Sequence, residues 1–306
     1  MANKINSLEF RTNLTGQLEK ALVQGSTVGV FEDNALRAKF VGAKTVLIPT
    51  MDMSSLGNYD RDNGFVTGSI AVTSEPFTLE QDRARSFQLD REDNDETGIA
   101  GLAGEVLSEF VRTKVVPEVD AYVLSKLGGY AATNNQTVNG DPDGEAYAMF
   151  GEAVGKIREE VGFDEELICF ADNDFLKSLS ASPEITHQIV MSDFKKGEVS
   201  TRVRTLDDIK LLPVPLSRMK TQYDFYDGTT DGQEDGGFKP TAAAKSIGFL
   251  VLPKKAVSLV KKSETLRAFA PEQNLKADAW KFDYRLYYDA FIRTNMRHTI
   301  YAYIRG

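Results

Sequence analysis

The chain has 306 residues, 42% of them hydrophobic, which is enough to bury one large core or two ordinary ones. Its formal net charge of −9 argues against a protein built chiefly to grip nucleic acid, although residues 250–306 carry 11 Lys or Arg against 5 Asp or Glu. The only cysteine, Cys169, excludes an intrachain disulfide, and the sequence has neither a signal-peptide core nor an apolar run of transmembrane length. We therefore expect a chain that folds inside the cell and has no membrane partner.

The first 43 residues are polar and rich in asparagine. Their one short amphipathic stretch, LTGQLEKALVQG, offers too few apolar positions for a core of its own. The composition predicts an extended N-terminal arm over residues 1–43 that lies on another surface.

Residues 44–92 have the composition of a long β-hairpin. The stretch KTVLIPTMDM is strand-like, the turn residues NYDRDNG follow, and a return rich in Ile, Val, Thr and Phe runs back to QLD. The predicted tip lies near residues 54–66. A two-stranded ribbon is marginally stable alone in water, and the neighbouring sequence offers no surface for it to rest on, so we expect it to pack on other subunits.

Charged residues concentrate at the hairpin and at the approach to the next helix. The simplest interpretation is a solvated turn, and the alternative is a set of contacts between subunits. The candidate assembly residues are Asp60, Arg61, Arg83, Arg85, Arg91, Glu92 and Asp93.

Residues 95–128 predict a long amphipathic helix. Apolar residues recur at i, i+3, i+4, i+7 and i+11 from Ile99, and the helix would be about 45 Å long at about 1.5 Å per residue. Glycines three residues apart would let another backbone come close, and Pro117 would either kink the helix or begin a second one. The candidate packing and hinge residues are Gly98, Gly101, Gly104, Val116 and Pro117.

The rest of the chain mixes helices and strands. EAYAMFGEAVGKIREEVG predicts a helix, LICFA and KSIGFLVLP predict buried strands, and the last 25 residues predict two alternating strands, the second of which contains His298. This pattern indicates an α+β fold.

Motifs for catalysis, cofactor binding and metal binding are absent from the sequence. His187 and His298 have no partner at a motif spacing, and Cys169 is expected to be a buried hydrophobe. Asp231, Gln233, Asp235 and Gly236 resemble the start of a calcium loop, but the twelfth position is Ala242 where a glutamate is needed. We expect no enzymatic activity, cofactor or metal.

The order of these elements resembles the major capsid protein of tailed bacteriophages, the Hong Kong 97-type coat protein fold. The resemblance is carried by SFQLDREDNDETGIAGLAGEVLSEFVRTKVVPEVDAYVLSKL, which is similar to the end of the extended loop and the spine helix, and by ICFADNDFLKSL, LLPVPLSRM and SIGFLVLPKKAVSL, which are similar to the axial domain. It implies an N-terminal arm (1–43), an extended loop (44–92), a peripheral domain with the spine helix (93–145), an axial domain (146–254) and return strands of the peripheral domain (255–306).

The resemblance implies a subunit that builds hexamers and pentamers of an icosahedral shell around packaged double-stranded DNA, in a virion assembled in the bacterial cytoplasm. The implied partners are further copies of the chain, a portal protein, a decoration protein and DNA held non-specifically. About forty residues precede the extended loop, too few for a built-in scaffold, so a separate scaffolding protein is expected. Two alternatives stay open, an encapsulin-type nanocompartment shell with a protein cargo and a cytosolic enzyme.

Overall fold

The computed structural model describes residues 25–37, 39–42, 44–59, 61, 64–90, 103–182, 190–196, 199–269, 271–274 and 276–305. Its larger helical elements are a 3-10 helix (Val28–Arg37), α1 (Ala103–Phe110), a π-helical turn (Val111–Val115), α2 (Val116–Thr133), α3 (Pro142–Val161) and α4 (Asn173–Ala181). Short 3-10 turns cover Leu216–Arg218, Lys254–Ala256, Pro271–Gln273 and Thr294–Thr299. The strands are β1 (Lys39–Val41), β2 (Thr45–Met53), β3 (Ile70–Thr78), β4 (Gln81–Asp90), β5 (Thr137–Val138), β6 (Leu167–Ala171), β7 (Val190–Lys196), β8 (Val199–Leu206), β9 (Ile209–Pro213), β10 (Tyr223–Phe225), β11 (Phe238–Pro240), β12 (Ile247–Pro253), β13 (Val257–Phe269), β14 (Ala279–Ile292) and β15 (Tyr301–Ile304).

A seven-stranded sheet in the order β5-β15-β12-β6-β9-β8-β7 organises the larger part of the core. Every residue of its neighbouring strands β6 and β12 is buried. Side chains alternate across the sheet, so that Phe249 and Val251 pack with α3 and α4, while Leu250 and Leu252 pack with α2. Burial on both faces explains why these two strands are continuous apolar runs in the sequence.

The return strands predicted at the end of the chain divide between two sheets. Strands β13 and β14 pair with each other, but β15 pairs with β12 in the seven-stranded sheet. His298, which was expected in a strand, lies instead in the 3-10 turn Thr294–Thr299 that carries the chain from one sheet to the other. Residues 255–306 therefore contribute strands to two sheets, and their assignment to one domain stays a prediction.

Helix α1, the π-helical turn and α2 form one continuous rod, which we call the spine helix. Phe110, Val115 and Val116 all have right-handed helical φ and ψ, and the Val116 N–H donates to the Val111 carbonyl five residues back. Pro117 lies in the first turn of α2, where its missing N–H is tolerated. The predicted interruption at Pro117 is thus a π-helical turn directly before it, and the helix continues to Thr133, beyond the predicted end.

Gly128 lies where the spine helix packs tightly against a side chain of the seven-stranded sheet. A Cβ added at Gly128 would collide with Cδ1 of Ile247 on β12. The helix therefore packs tightly on the Ile247 side chain at Gly128, and the close backbone approach expected at the first three glycines of the helix stays a prediction. Gly98 and Gly101 lie outside the described residues, and Gly104 lies within α1.

A second sheet, in the order β13-β14-β4, also packs against the spine helix. Strand β4 pairs with β14 along its whole length, from Gln81 opposite Tyr288 to Asp90 opposite Ala279. The sequence was interpreted as placing this segment in the returning strand of the hairpin. That part of the prediction is wrong, because a strand about 200 residues away supplies its hydrogen bonds.

The hairpin itself consists of β2, β3 and the connecting residues 54–69. Nine residue pairs join its strands, from Thr45 opposite Thr78 to Met53 opposite Ile70. Strand β1 adds a third, short strand to β2. At the base, Val46 and Phe77 pack against Phe291 of β14. The expectation that this chain offers the ribbon no support is therefore wrong at its base.

The segment before the hairpin is also more buried than predicted. Residues Val28, Val30 and Phe31 of the first 3-10 helix are fully buried in the core beside the spine helix and β13. The prediction of an extended arm without a core is wrong for Val28–Arg37, whereas residues 1–24 lie outside the described part of the chain.

Candidate assembly surfaces

The tip of the hairpin, residues 54–66, exposes large apolar side chains. Leu56 is fully exposed, Phe65 is 89% exposed and Val66 is 67% exposed. The rings of Tyr59 and Phe65 meet edge to face with their centroids 5.1 Å apart. Contiguous exposed apolar surface of this kind is typical of a site that another molecule covers.

The two faces of the ribbon differ along its length. Near the base, Val46 and Ile48 are buried against the subunit. Farther out, Met53, Ile70 and Val72 are each more than 60% exposed, and the strand alternation puts them on the opposite face from Val46 and Ile48. One face therefore rests on the ribbon's own subunit at the base, and the other exposes apolar side chains to solvent.

A groove of about 620 Å³ lies between β4, the π-helical turn and the loop that joins β10 to β11. Its lining is rich in aromatic rings, namely Phe87, Phe110, Tyr226, Phe238, Tyr284 and Tyr288. Phe110 meets Phe87 and Tyr284 edge to face at centroid distances of 4.8 and 5.8 Å. Four separate parts of the sequence thus build one concave surface, rich in aromatic rings, beside the spine helix.

The predicted assembly residues Arg83 and Arg85 lie at this groove and bind other parts of their own subunit. The Arg83 Nε donates to Glu118 of the spine helix over 2.5 Å. The Arg85 Nη1 donates to the carbonyl oxygen of Glu234 over 3.0 Å. They attach the loop between β10 and β11 and the spine helix to β4. Arg61 is exposed at the tip, whereas Asp60, Arg91, Glu92 and Asp93 lie outside the described residues.

Asp120 is a fully buried carboxylate that joins three parts of the subunit. Its oxygens accept hydrogen bonds from the Ser26 hydroxyl (2.8 Å), the Thr27 N–H (3.0 Å) and hydroxyl (2.6 Å) and the Val28 N–H (3.2 Å). The Arg218 Nη1 lies 3.0 Å from the second oxygen. Asp120 therefore satisfies the free N–H groups at the start of the first 3-10 helix and neutralises an arginine from the 216–218 turn.

Asp289 is the second fully buried carboxylate, and it connects β14 to the spine helix and to the start of β4. Lys126 Nζ and the Tyr122 hydroxyl donate to it over 2.7 and 2.9 Å, and the Glu80 N–H donates over 3.1 Å. Burial, reinforced by this carboxylate, raises the pKa of Tyr122 above its ordinary value, so the phenol remains a hydrogen-bond donor.

Sequence reasoning missed both buried carboxylates. Each stands among apolar residues, in VPEVDAYV and in YYDAF, and a charge in such a run signals a buried, paired group. Their partners could not be identified, because the Ser26 and Glu80 contacts join residues 94 and 209 positions apart.

The search for a metal site or a reactive thiol is negative in the described part of the chain. They contain no group of three or more His, Cys, Asp or Glu side chains able to hold a metal ion. Burial raises the pKa of the Cys169 thiol far above its usual value, which keeps it protonated and unreactive. No helix in the described part of the chain is long and apolar enough to cross a membrane. His187 lies outside that part.

No protein-family model matches the sequence, and no curated protein matches it either. Solved structures do match its fold. The capsid structure of Staphylococcus phage Andhra aligns with a TM-score of 0.54 at 9% identity and covers 88% of this chain and 82% of that chain. The mature capsid of bacteriophage PhiM1 aligns with a TM-score of 0.51 at 13% identity, covering 86% and 82%.

A virus-like particle from Pyrococcus furiosus aligns with a TM-score of 0.50 at 9% identity and covers 97% of this chain and 100% of that chain. The three matches extend over most of the chain and involve subunits of assembled particles. They confirm the predicted α+β capsid-protein fold.

Proposed function

We propose that this protein is the major capsid protein of a tailed bacteriophage, a structural subunit that assembles with copies of itself into an icosahedral shell around double-stranded DNA. The capsid fold over most of the chain supports this proposal. The observation that carries it is the hairpin, which is anchored at its base and apolar where it projects. A subunit that worked alone would gain nothing from such a ribbon, whereas a shell subunit uses it to hold its neighbour.

In this function the protein does mechanical work and catalyses no reaction. Subunits form hexamers and pentamers, the axial domains meet at the centre of each ring, and every extended loop lies across the next subunit. Contacts of this kind join two different surfaces, so they close into rings when the rotation between subunits permits it.

The proposed location is the virion, with assembly in the cytoplasm of the host bacterium. The proposed partners are a separate scaffolding protein, a portal protein, a decoration protein and the packaged DNA, which the shell would contact non-specifically.

A nanocompartment shell with a protein cargo is the second candidate, because the virus-like particle aligns with almost the entire chain. The two functions differ in what the particle contains. Particles purified from cells that also express the packaging machinery should hold double-stranded DNA under the first proposal and a specific protein under the second.

The proposal is tested by deleting the hairpin tip, residues 56–64, and comparing the variant with the full chain. The deletion should leave a soluble, folded subunit by circular dichroism, while size-exclusion chromatography and negative-stain microscopy should show rings and shells for the full chain only. A full chain that remains monomeric would contradict the proposed function. A deletion that unfolds the subunit would show that the ribbon belongs to the internal core.

A further inference from the structure

We infer that the groove between β4, the π-helical turn and the loop that joins β10 to β11 is a binding site for a small, flat, uncharged heteroaromatic molecule, one of whose ring atoms accepts a hydrogen bond from the Tyr288 hydroxyl. The inference goes beyond the proposed function, because it concerns a small ligand of the subunit and not a contact that builds the shell. It assigns a chemical class of ligand to the groove and a partner to a buried hydroxyl.

Strand alternation builds one wall of the groove. Tyr284, Leu286 and Tyr288 stand two residues apart on β14, so their side chains leave the sheet on the same face. All three are buried. Phe87 of β4 pairs with Phe282 of β14, which places its ring on that face as well. The wall therefore belongs to the paired core of the second sheet and is fixed before any ligand binds.

Two further rings come from other elements. Phe110 of the spine helix is held edge to face by Phe87 and Tyr284, and Phe238 of β11 is held edge to face by Tyr223 at a centroid distance of 5.3 Å. Aromatic rings favour offset stacking and edge-to-face contacts, so several rings around one groove suit a flat aromatic ligand. The volume of about 620 Å³ falls within the range of natural ligand sites.

The Tyr288 hydroxyl specifies what the ligand must carry. It is buried and has no hydrogen-bond partner among the described residues. The Tyr288 ring meets Tyr122 edge to face at 5.7 Å, and the charges of Glu118 and Arg83, which both line the groove, act on its hydroxyl. Burial raises the pKa of Tyr288 well above its ordinary value, so the hydroxyl stays a donor. An unpaired buried donor is unfavourable, and an acceptor atom on a ligand would remove that cost.

The charged side chains of the groove favour an uncharged ligand, because most of them already have partners. Arg83 pairs with Glu118, and Asp82 pairs with Arg285. The Asp227 carboxylate accepts hydrogen bonds from two backbone N–H groups of its own loop, which lowers its pKa. A charged ligand would gain little from groups that are already neutralised, whereas a neutral ring with one acceptor atom uses both the aromatic walls and the hydroxyl.

A pair of probes with the same shape tests the inference. Quinoline and naphthalene are both flat, uncharged two-ring molecules, and only quinoline carries a ring nitrogen that accepts a hydrogen bond. Ligand-observed NMR with the full chain, at equal probe concentrations below the solubility of naphthalene, should show binding of both. Quinoline should bind about fivefold more tightly, because it alone satisfies the buried hydroxyl.

Three variants locate the site. Tyr288→Phe removes the hydroxyl and keeps the ring, so quinoline should lose its advantage while naphthalene binds as before. Thr113→Trp fills the groove from an exposed position on the π-helical turn and should abolish binding of both probes. Arg112→Trp is the matched control, since Arg112 is an exposed neighbour that does not line the groove, and it should bind both probes normally. Circular dichroism and the melting temperature check that each variant is folded.

Four results would overturn the inference. They are binding that survives Thr113→Trp, equal affinity of the two probes for the unmodified chain, a preference for quinoline that persists in Tyr288→Phe, and no binding of quinoline to the full chain, whether the groove admits no ring or a second copy of the chain covers it. Negative-stain microscopy scores assembly separately, so a failure of this inference leaves the proposed function intact.

Discussion

Asp120→Ala should release the first 3-10 helix from the spine helix. The change removes the acceptor of hydrogen bonds from Ser26, Thr27 and Val28 and leaves Arg218, whose side chain is 21% exposed, without this ion pair. Breaking a buried pair by removing one partner costs about 3–5 kcal/mol, and a hydrogen bond to a charged group contributes about 1.5–3 kcal/mol. Because these contributions overlap and Arg218 can reach water, we expect the free energy of unfolding to fall by about 3–5 kcal/mol.

The measurement is urea unfolding of the isolated subunit in the background of the 56–64 deletion, which should prevent assembly from adding to the apparent stability. Asp120→Asn keeps one acceptor oxygen and should lose less, and Glu159→Ala, an exposed acid on α3, should change the stability by less than about 0.5 kcal/mol. Proteolysis between residues 25 and 37 should increase in Asp120→Ala alone. A fall in the free energy of unfolding of less than about 1 kcal/mol in Asp120→Ala would refute the proposed role of Asp120 in holding the first 3-10 helix.

Three further changes test other parts of the structure. Gly128→Ala should lower the free energy of unfolding by about 1–3 kcal/mol because its methyl group would overlap the buried Ile247 side chain, whereas Gly155→Ala, in open space on α3, should raise it by up to about 1 kcal/mol. Equal effects in urea unfolding would contradict the tight packing at Gly128. Reversing Arg83 and Arg85 to Glu should lower the melting temperature, because their contacts within the subunit are lost, and should make the yield of assembly strongly salt-dependent. An equal yield at low and high salt would count against a role of these residues in the interface between subunits. Pro117→Ala adds an N–H in the first turn of α2, directly after the π-helical turn. If the shell forms as a precursor that expands as DNA is packaged and the helix bends at this turn, the variant should favour the expanded form and give poorly formed precursor shells from folded subunits; reconstructions of both shells with the same backbone path through this turn would refute a hinge.

The local pattern of the sequence was sufficient for several of the elements and for the α+β fold class. Strands β6 and β12 were recognisable because a strand buried on both faces is a continuous apolar run, and the hairpin was recognisable from its turn residues. The helix from Ala103 to Thr133 followed from its 3.6-residue periodicity and from a proline that marked the position of the π-helical turn.

The pairing of distant segments could not be predicted in the same way. Strand β4 has the composition of a hairpin strand, and only the structure shows that its partner is β14, about 200 residues later. The groove could not be predicted for the same reason, since Phe87, Phe110 and Phe238 belong to elements that only the packing of the fold brings together. Pro117 predicted where the helix is interrupted but not the form of the interruption, because a π-helical turn has no distinct sequence period.

An electron cryomicroscopy reconstruction of the particles formed by the full chain tests the central claim most directly. The account predicts closed icosahedral shells in which this fold repeats in rings of five and six, with the hairpin of each subunit lying across the next one. A uniform small oligomer, or a closed particle in which the hairpin contacts only its own subunit, would contradict it.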